Sequence, residues 1–396
     1  MEKCIMTRSN RKCRLNLHIR YQLAGLYKTC FLLIKNAQIN HAIIYRILLI
    51  VLFLLLPVLT TDAGTTSELR FKSAYDDIDW DRCEQYQMDM HAHARRGASV
   101  EDVLRFYDNL GYGVVSFKDR VLHYPMAKYV DDPNRYQITL LPGQNIKPHS
   151  TQPPYKDHLK LWFSKTDYKS QLEFEGAFVQ LGNDGGLIVF AHPASGIHQM
   201  YSKYVGAEWY IDYFDRYPHV LGIEINNHDM EGNRKLFDEL LSHYGAKRRV
   251  VGFGGSDLMG PREDGSISAP GGFGLSIVIS EDRKEDTLRE AIEAGRVLWV
   301  DALLPDLQDK QVQFTRINSI HVETNRITVN VSDPNARIDW IHANKVIGHG
   351  STLTLDDVKN AAAEMNMAMP NYVRFEVSDG AGATLGSQAF YIIDRE

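Results

Sequence analysis

Cysteine is nearly absent from most of this 396-residue chain. Three of its four cysteines, Cys4, Cys13 and Cys30, lie within the first 30 residues, which leaves Cys83 alone in the remainder. A single cysteine cannot form an intramolecular disulfide, and a thiolate metal cluster needs several. A metal bound by the body of the chain would therefore be held by nitrogen and oxygen ligands.

Negative charge predominates beyond residue 60. Residues 1–60 carry nine Lys or Arg and one Glu, a net charge of +8, so the net −6 of the whole chain leaves −14 for the rest. Binding to nucleic acid without sequence preference depends on Lys and Arg that neutralise phosphates. The acidic body therefore argues against a nucleic-acid partner.

One long apolar run interrupts the basic start. ILLIVLFLLLPVL at residues 47–59 is followed by TTDAGTT, with Thr61 and Ala63 at the small-residue positions that precede a signal-peptide cut. The run is short for a membrane span, although residues 42–45 extend it enough for an uncleaved anchor. We predict that residues 1–63 are a leader with a signal peptide or signal anchor. The body is then exported, periplasmic or extracellular, and meets a membrane only if residues 42–59 stay attached as an anchor.

The body alternates apolar strands with helices. After polar residues 64–84, interpreted as a linker or extended arm, strand patterns appear at seven places: 85–93, 113–119, 136–143, 158–164, 187–193, 220–227 and 249–257. Helical patterns separate several of them, the first beginning with Ser99 as an N-cap, and a final helical pattern that ends at Gly295 closes the series. Strands that are apolar throughout and alternate with helices indicate a parallel sheet covered on both faces. We predict an α/β barrel over residues 85–310.

The C-terminal segment has a different pattern. From about Thr315, short alternating segments such as RITVNVS, ARIDWIH and YVRFEVSD follow one another, separated by turn residues, and only DDVKNAAAEMN is helical in pattern. Such spacing is typical of an antiparallel β-sandwich. We predict that residues 311–396 form a β-sandwich domain with a packing or binding role.

The opening strand of the barrel carries paired histidines in QYQMDMHAHARRG, residues 85–97. Because successive side chains of a strand point to opposite faces, Asp89, His91 and His93 would share one face, and Met88 and Met90 the other. The methionine face suits a core. The histidines either bind a metal or belong to a half-exposed strand that faces water.

Other chemistry-bearing residues follow the predicted strands. In parallel barrels, functional side chains gather at the carboxyl ends of the strands. The candidate ligands at such positions are His91, His93, Asp119, His158, His192 and Asp257. Histidines and carboxylates without cysteine are the ligand set of a hydrolytic Zn²⁺, Mn²⁺ or Fe site, in which open positions admit water.

The segments MDMHAHA, VVSFKDR, LIVFAHPA and VVGFGGSD, with LLPGQN and GIEINN, occur in an order that resembles the PHP family. This polymerase and histidinol phosphatase family comprises metal-dependent phosphoesterases, and the chain is most similar to its exported branch with a C-terminal β-domain. The resemblance covers residues 86–300 and, less sharply, the tail. It implies a distorted, TIM-like (β/α)7 barrel.

The resemblance also implies how metal would be held, and where the family pattern is broken. One ion would be bound by His91, His93, a bridging residue and Asp257, and a second ion by the bridge with His158 and His192. The bridge is a glutamate in the family and Asn145 here, a neutral amide that offsets no cation charge. The positions of a third site have no imidazole, reading Ser99, Arg120 and Met259. We therefore expect a reduced centre with one or two divalent ions, zinc first and manganese or iron as alternatives, and one ion before two.

Three further residues are interpreted in two ways each. Arg120 either replaces the third ion and clamps a substrate oxygen, or forms a salt bridge with Asp119. Asp119 binds metal or orients a ligating histidine. Glu224 contacts the site, or is a buried acid paired with Lys or Arg.

These residues predict an exported metal-dependent hydrolase of a small-molecule phosphoester or related ester. The metal would activate water, His158 and His192 would hold a second ion or donate a proton to the leaving group, and Arg120 would offset negative charge. The alternative is a binding or scaffold protein on a catalytically decayed PHP-like fold, since a fold does not establish an activity. Metal content distinguishes the two.

Overall fold

The computed structural model describes residues 68–93, 99–117, 135–146, 159–164, 174–194, 206–227, 230–257, 273–302, 314–380 and 382–395. All of them belong to one compact unit, Ser67–Glu396. The predicted leader at residues 1–63 lies outside the described residues. Within the described ranges, none of the helices combines the length and the apolar character needed to cross a membrane.

The described α-helices are α1 (Val100–Asn109), α2 (Phe174–Asn183), α3 (Ala207–Arg216), α4 (Met230–Tyr244), α5 (Glu285–Glu293) and α6 (Leu355–Glu364), and a short 3-10 helix, Gly245–Lys247, follows α4. The described strands up to residue 302 are β1 (Leu69–Ser73), β2 (Glu84–Ala92), β3 (Tyr112–Phe117), β4 (Thr139–Leu140), β5 (Gly143–Ile146), β6 (Leu159–Trp162), β7 (Leu187–Phe190), β8 (Val220–Asn226), β9 (Val251–Gly254), β10 (Phe273–Ser280) and β11 (Val297–Ala302). The later strands are β12 (Ile317–Val322), β13 (Arg326–Val331), β14 (Arg337–His342), β15 (Lys345–His349), β16 (Thr352–Thr354), β17 (Tyr372–Ser378), β18 (Thr384–Gly386) and β19 (Phe390–Asp394).

The strands pair into three sheets. An 11-stranded sheet has the order β1-β19-β17-β18-β11-β10-β2-β3-β4, with β14 and β15 attached through β17. A five-stranded sheet has the order β5-β6-β7-β8-β9, and a three-stranded sheet the order β12-β13-β16. The architecture is mixed α/β.

The strand directions differ from the parallel barrel that the sequence predicts. β2, β3 and β4 are parallel neighbours, as are β7, β8 and β9, but β6 is antiparallel to both β5 and β7. Within the described ranges, the hydrogen-bonded strands do not form a closed barrel. The reason is that a strand buried on both faces has the same apolar sequence whether its neighbours run parallel or antiparallel to it.

Two central strands were missed by the sequence patterns. β10 pairs antiparallel with β2 on one side and with β11 on the other, and β11 continues to β18 of the C-terminal segment. The large sheet therefore crosses the predicted domain boundary at residue 311. It also takes up part of the predicted linker, because Leu69–Ser73 pairs with β19.

The C-terminal segment contains the predicted short strands and the predicted helix. Helix α6 begins with a capping box, in which the Thr354 hydroxyl accepts from the Asp357 backbone N–H and the Asp357 carboxylate accepts from the Thr354 N–H. The strands of the C-terminal segment are divided between the large sheet and the three-stranded sheet. Strand pairing therefore does not by itself define a separate β-sandwich domain.

Strand β2 is buried on both faces at its C-terminal end. Met88 and Met90 join an apolar cluster with Val114 and Val278, as the alternation predicts. His91, on the opposite face, is only 1% exposed. The interpretation of His91 as a solvent-facing histidine is therefore wrong.

Candidate metal centre

His91, near the end of strand β2, and His93, directly after the strand, lie side by side with their ring centroids 5.2 Å apart. Asp89, which precedes His91 on the same face of the strand, stabilises this end of β2. Its carboxylate accepts hydrogen bonds from the His91 backbone N–H at 2.8 Å and from the Ser256 hydroxyl at 2.7 Å. Burial raises the pKa of Asp89, although these hydrogen bonds oppose the shift. Asp89 thus links β2 to the segment after β9.

That segment places Asp257 against both histidines. Asp257 Oδ1 lies 3.1 Å from His93 Nε2 and 3.4 Å from His91 Nε2. The Asp257 backbone has a φ of +49°, in the left-handed region that a non-glycine residue rarely adopts, and His192 has a φ of +26°. Such conformations cost on the order of 1–3 kcal/mol each and are concentrated at functional sites.

The ligand atoms of His91, His93 and Asp257 all lie within 4.8 Å of one another and could hold a metal ion. Around a tetrahedral Zn²⁺ with bonds of about 2.0–2.1 Å, donor atoms lie about 3.3 Å apart. The two measured separations from Asp257 Oδ1, 3.1 and 3.4 Å, lie on either side of that value. Two imidazoles and one carboxylate also leave coordination positions open to water or substrate.

Glu224, on β8, orients His91. Its Oε1 lies 2.9 Å from His91 Nδ1, and a carboxylate at this distance accepts the Nδ1 hydrogen. This tautomer leaves Nε2 as the acceptor that faces Asp257. Metal-ligating histidines commonly have their other ring nitrogen bonded to a carboxylate, which fixes ring orientation and raises basicity.

Glu224 is itself held by several buried donors. Lys160, on β6, forms an ion pair with Glu224 through Nζ and Oε1, and both side chains are 1% exposed. Oε2 accepts from the His192 backbone N–H at 2.9 Å and from Asn227 Nδ2 at 3.1 Å. Both interpretations of Glu224 from the sequence are therefore correct, because Glu224 is a buried acid paired with a lysine and also contacts the site.

His192 and Asn145 complete the group. The His192 ring follows β7 and stacks on the His91 ring, with centroids 5.6 Å apart and planes inclined by 11°. Potential ligand atoms of His91, His192 and Glu224 lie within 4.8 Å of one another, which makes a second candidate donor group. Asn145, on β5, places Nδ2 3.5 Å from His91 Nε2, and its Oδ1 has no hydrogen-bond partner within the described part of the chain.

The structure thus brings together six residues singled out from the sequence: His91, His93, Asn145, His192, Glu224 and Asp257. Three others, Asp119, Arg120 and His158, lie outside the described residues, so their roles remain predictions. Lys160 and Asn227 were missed. A lysine within the apolar strand LKLW was a signal for the first, since a lysine is rarely fully buried unless it is paired.

No protein-family model and no curated protein matches the sequence. Among solved structures, the chain is similar to a two-domain protein from Bacteroides vulgatus described as containing a predicted PHP-like metal-dependent phosphoesterase. The similarity covers 82% of this chain and 98% of the other, with 14% sequence identity and a TM-score of 0.41. A similarity at this level supports no inference about the activity of this chain, so the functional argument depends on the geometry of the centre.

Proposed function

We propose that this chain is a metal-dependent hydrolase in which one divalent ion is bound by His91, His93 and Asp257. The observation that supports it is the position of His91 Nε2 and His93 Nε2 at 3.4 and 3.1 Å from Asp257 Oδ1, with Glu224 Oε1 2.9 Å from His91 Nδ1. The proposed substrate is a small-molecule phosphoester or a related ester. Zinc is the expected metal, with manganese or iron as alternatives.

A divalent ion in this position would lower the pKa of a water molecule toward neutrality and so supply the nucleophile. The chain's own residues would perform the remaining tasks. His192 lies beside His91 and would donate a proton to the leaving group. Arg120 would offset negative charge that develops on the substrate.

We also propose that the strands complete a PHP-like barrel with a β-sandwich on its C-terminal side. In support, the Gly254 backbone N–H on β9 donates to Ser276 Oγ on β10 at 3.0 Å, which places the end of the five-stranded sheet beside the large sheet. For the sandwich, Ile320 and Val329 of the three-stranded sheet share one core cluster with Trp340 and Phe375 of the large sheet.

Export by the predicted leader is part of the same proposal. The nearly cysteine-free body needs no reducing compartment, and the basic, apolar start of the chain has the pattern of a signal peptide or anchor.

Metal content and hydrolysis test the proposed function together. Purified protein is expected to retain close to one equivalent of zinc and to hydrolyse an aryl phosphate diester such as bis(p-nitrophenyl) phosphate. His91→Ala and His93→Ala should each weaken zinc binding by more than about 100-fold, because loss of even an outer hydrogen-bond partner costs about 10–100-fold. His321→Ala, which changes an exposed histidine on β12, is the matched control.

Two results would contradict the proposal. Hydrolysis that survives both substitutions would exclude this centre as its source. A well-folded wild-type protein that binds no metal would favour the alternative, a binding or scaffold protein.

A further inference from the structure

Lys160 is a buried cation in the wall of the candidate centre. It lies in the middle of β6, with Asn145 opposite it on β5 and Val189 opposite it on β7. Its side chain is 1% exposed, and its Nζ contacts Glu224 Oε1. A charged group so completely buried requires a partner, because an uncompensated charge there would be strongly destabilising.

The hydrogen bonds to Glu224 use its full acceptor capacity. A carboxylate has two oxygens with about four lone-pair positions in total. On Oε1 these positions are taken by Lys160 Nζ and His91 Nδ1, and on Oε2 by the His192 backbone N–H and Asn227 Nδ2. A metal ion could bind Glu224 only after displacing one of these donors.

This saturation affects the second candidate donor group. Both ring nitrogens of His91 are already used, Nδ1 by Glu224 and Nε2 toward the first ion, so a second ion would depend on His192 and on Glu224, the carboxylate of that group. The ammonium of Lys160 adds a fixed positive charge in contact with the same carboxylate. Buried like charges repel strongly, since the protein interior screens them much less than water does.

We propose that Lys160 is a built-in cation that occupies the place of a second metal ion and limits the centre to one ion per chain. Through Glu224 it is also a positioning residue, because the same carboxylate fixes the ring of His91. This inference rests on the proposed function, which requires the first ion at His91, His93 and Asp257. It explains how the centre tolerates the neutral Asn145, as no second ion needs a bridging carboxylate.

Zinc stoichiometry is the test, measured by isothermal titration and by metal analysis after removal of excess ion. Wild-type protein is expected to bind one equivalent of zinc and no second equivalent even at millimolar zinc. Lys160→Met removes the charge and one donor from Glu224, and is expected to bind two equivalents. The double variant Lys160→Met with Glu224→Gln should return to one or fewer, because the freed carboxylate is then absent.

The matched control is Lys359→Met, the same substitution at an exposed lysine on α6, which should leave the stoichiometry at one. If Lys160→Met does not fold, Lys160→Gln removes the charge with less change in polarity and has the same expected result. A single equivalent in a folded variant without the Lys160 charge would overturn the inference. So would two equivalents in the wild type, whereas a wild type that binds no zinc would overturn the proposed function itself.

Discussion

Each ring nitrogen of His91 has a different task. Nδ1 is bound to Glu224 and Nε2 faces Asp257, so the ring direction depends on a residue 133 positions away in the sequence. The orientation of the imidazole is therefore set by groups that would not contact the ion. At the residue scale, the properties of the centre depend on the packing around Glu224 as much as on the donor atoms.

Gly255 illustrates this dependence. A Cβ built at this position would overlap Glu224 Oε1 and lie 3.4 Å from His91 Cβ. We expect Gly255→Ala to displace the carboxylate and to lower zinc affinity by about 10–100-fold, the usual effect of losing an outer hydrogen-bond partner of a ligand. Competition with a chromogenic chelator measures the change.

The control for this substitution is Gly380→Ala. Among the described residues, none has an atom within 4 Å of a Cβ built at Gly380, and the residue is exposed, so zinc affinity should stay at the wild-type value. Equal affinities for the two variants would show that Glu224 does not orient a metal ligand.

At the scale of elements, the pairing of β14 with β17 encloses a histidine that is unrelated to the metal centre. His342 is buried at the end of β14, and its Nδ1 donates to the Tyr372 carbonyl at 2.9 Å. Burial lowers the pKa of His342 below its ordinary value, although the Tyr372 carbonyl and Asp238 oppose the shift. The folded chain therefore binds a proton here less readily than the unfolded chain does.

The sign of the pH effect follows from this difference. Above the ordinary histidine pKa of about 6.5, both states are neutral at His342 and its contribution to stability is complete. As the pH falls below that value, the unfolded chain takes up the proton first and the free energy of unfolding decreases. His342→Gln should flatten the pH dependence of the urea midpoint between pH 7.5 and 5.5, relative to the wild type.

His321→Gln is the comparison, because His321 is exposed on β12 and should leave the slope unchanged. A slope for His342→Gln that matches the wild type would mean that protonation of His342 does not reduce stability.

At the scale of the whole molecule, the C-terminal strands are tied to the part that holds the centre. Arg374, on β17, forms two hydrogen bonds with Asp238 on helix α4, Nε to Oδ1 at 2.8 Å and Nη2 to Oδ2 at 2.9 Å, and both side chains are almost completely buried. Gln388 bonds to both backbone groups of Gly252 on β9 and to the Val297 carbonyl at the start of β11. These contacts imply that the two parts unfold together.

Breaking the Arg374–Asp238 pair tests that implication. Arg374→Met leaves the Asp238 carboxylate buried without its charge partner, which typically costs about 3–5 kcal/mol. We expect a large decrease in the urea midpoint in a single transition that includes loss of bound zinc. Arg337, whose side chain is 65% exposed and pairs with Asp339, provides the control, since Arg337→Met should change stability by no more than about 1 kcal/mol. Two separate transitions would show that the C-terminal strands unfold independently.

Local patterns in the sequence predicted much of this molecule. Helix α6 lies at Leu355–Glu364 where DDVKNAAAEMN indicates a helix, and α1 follows its Ser99 cap. The alternation of QMDMHAH placed Met88 and Met90 in the core and His91 on the opposite face. Caps, periodicity and alternation are properties of neighbouring residues, so they can be interpreted without knowledge of the fold.

Long-range relations were beyond those patterns. The antiparallel direction of β6, the position of β10 between β2 and β11, and the pairing of β18 with β11 each depend on which distant strands meet. The same holds for the Lys160–Glu224 pair, which joins β6 to β8. An apolar strand is compatible with many neighbours, and the choice among them is made by packing over the whole molecule. The sequence of short local segments therefore identifies the donor residues. Contacts between segments far apart in the chain bring these residues together and place the surrounding charges.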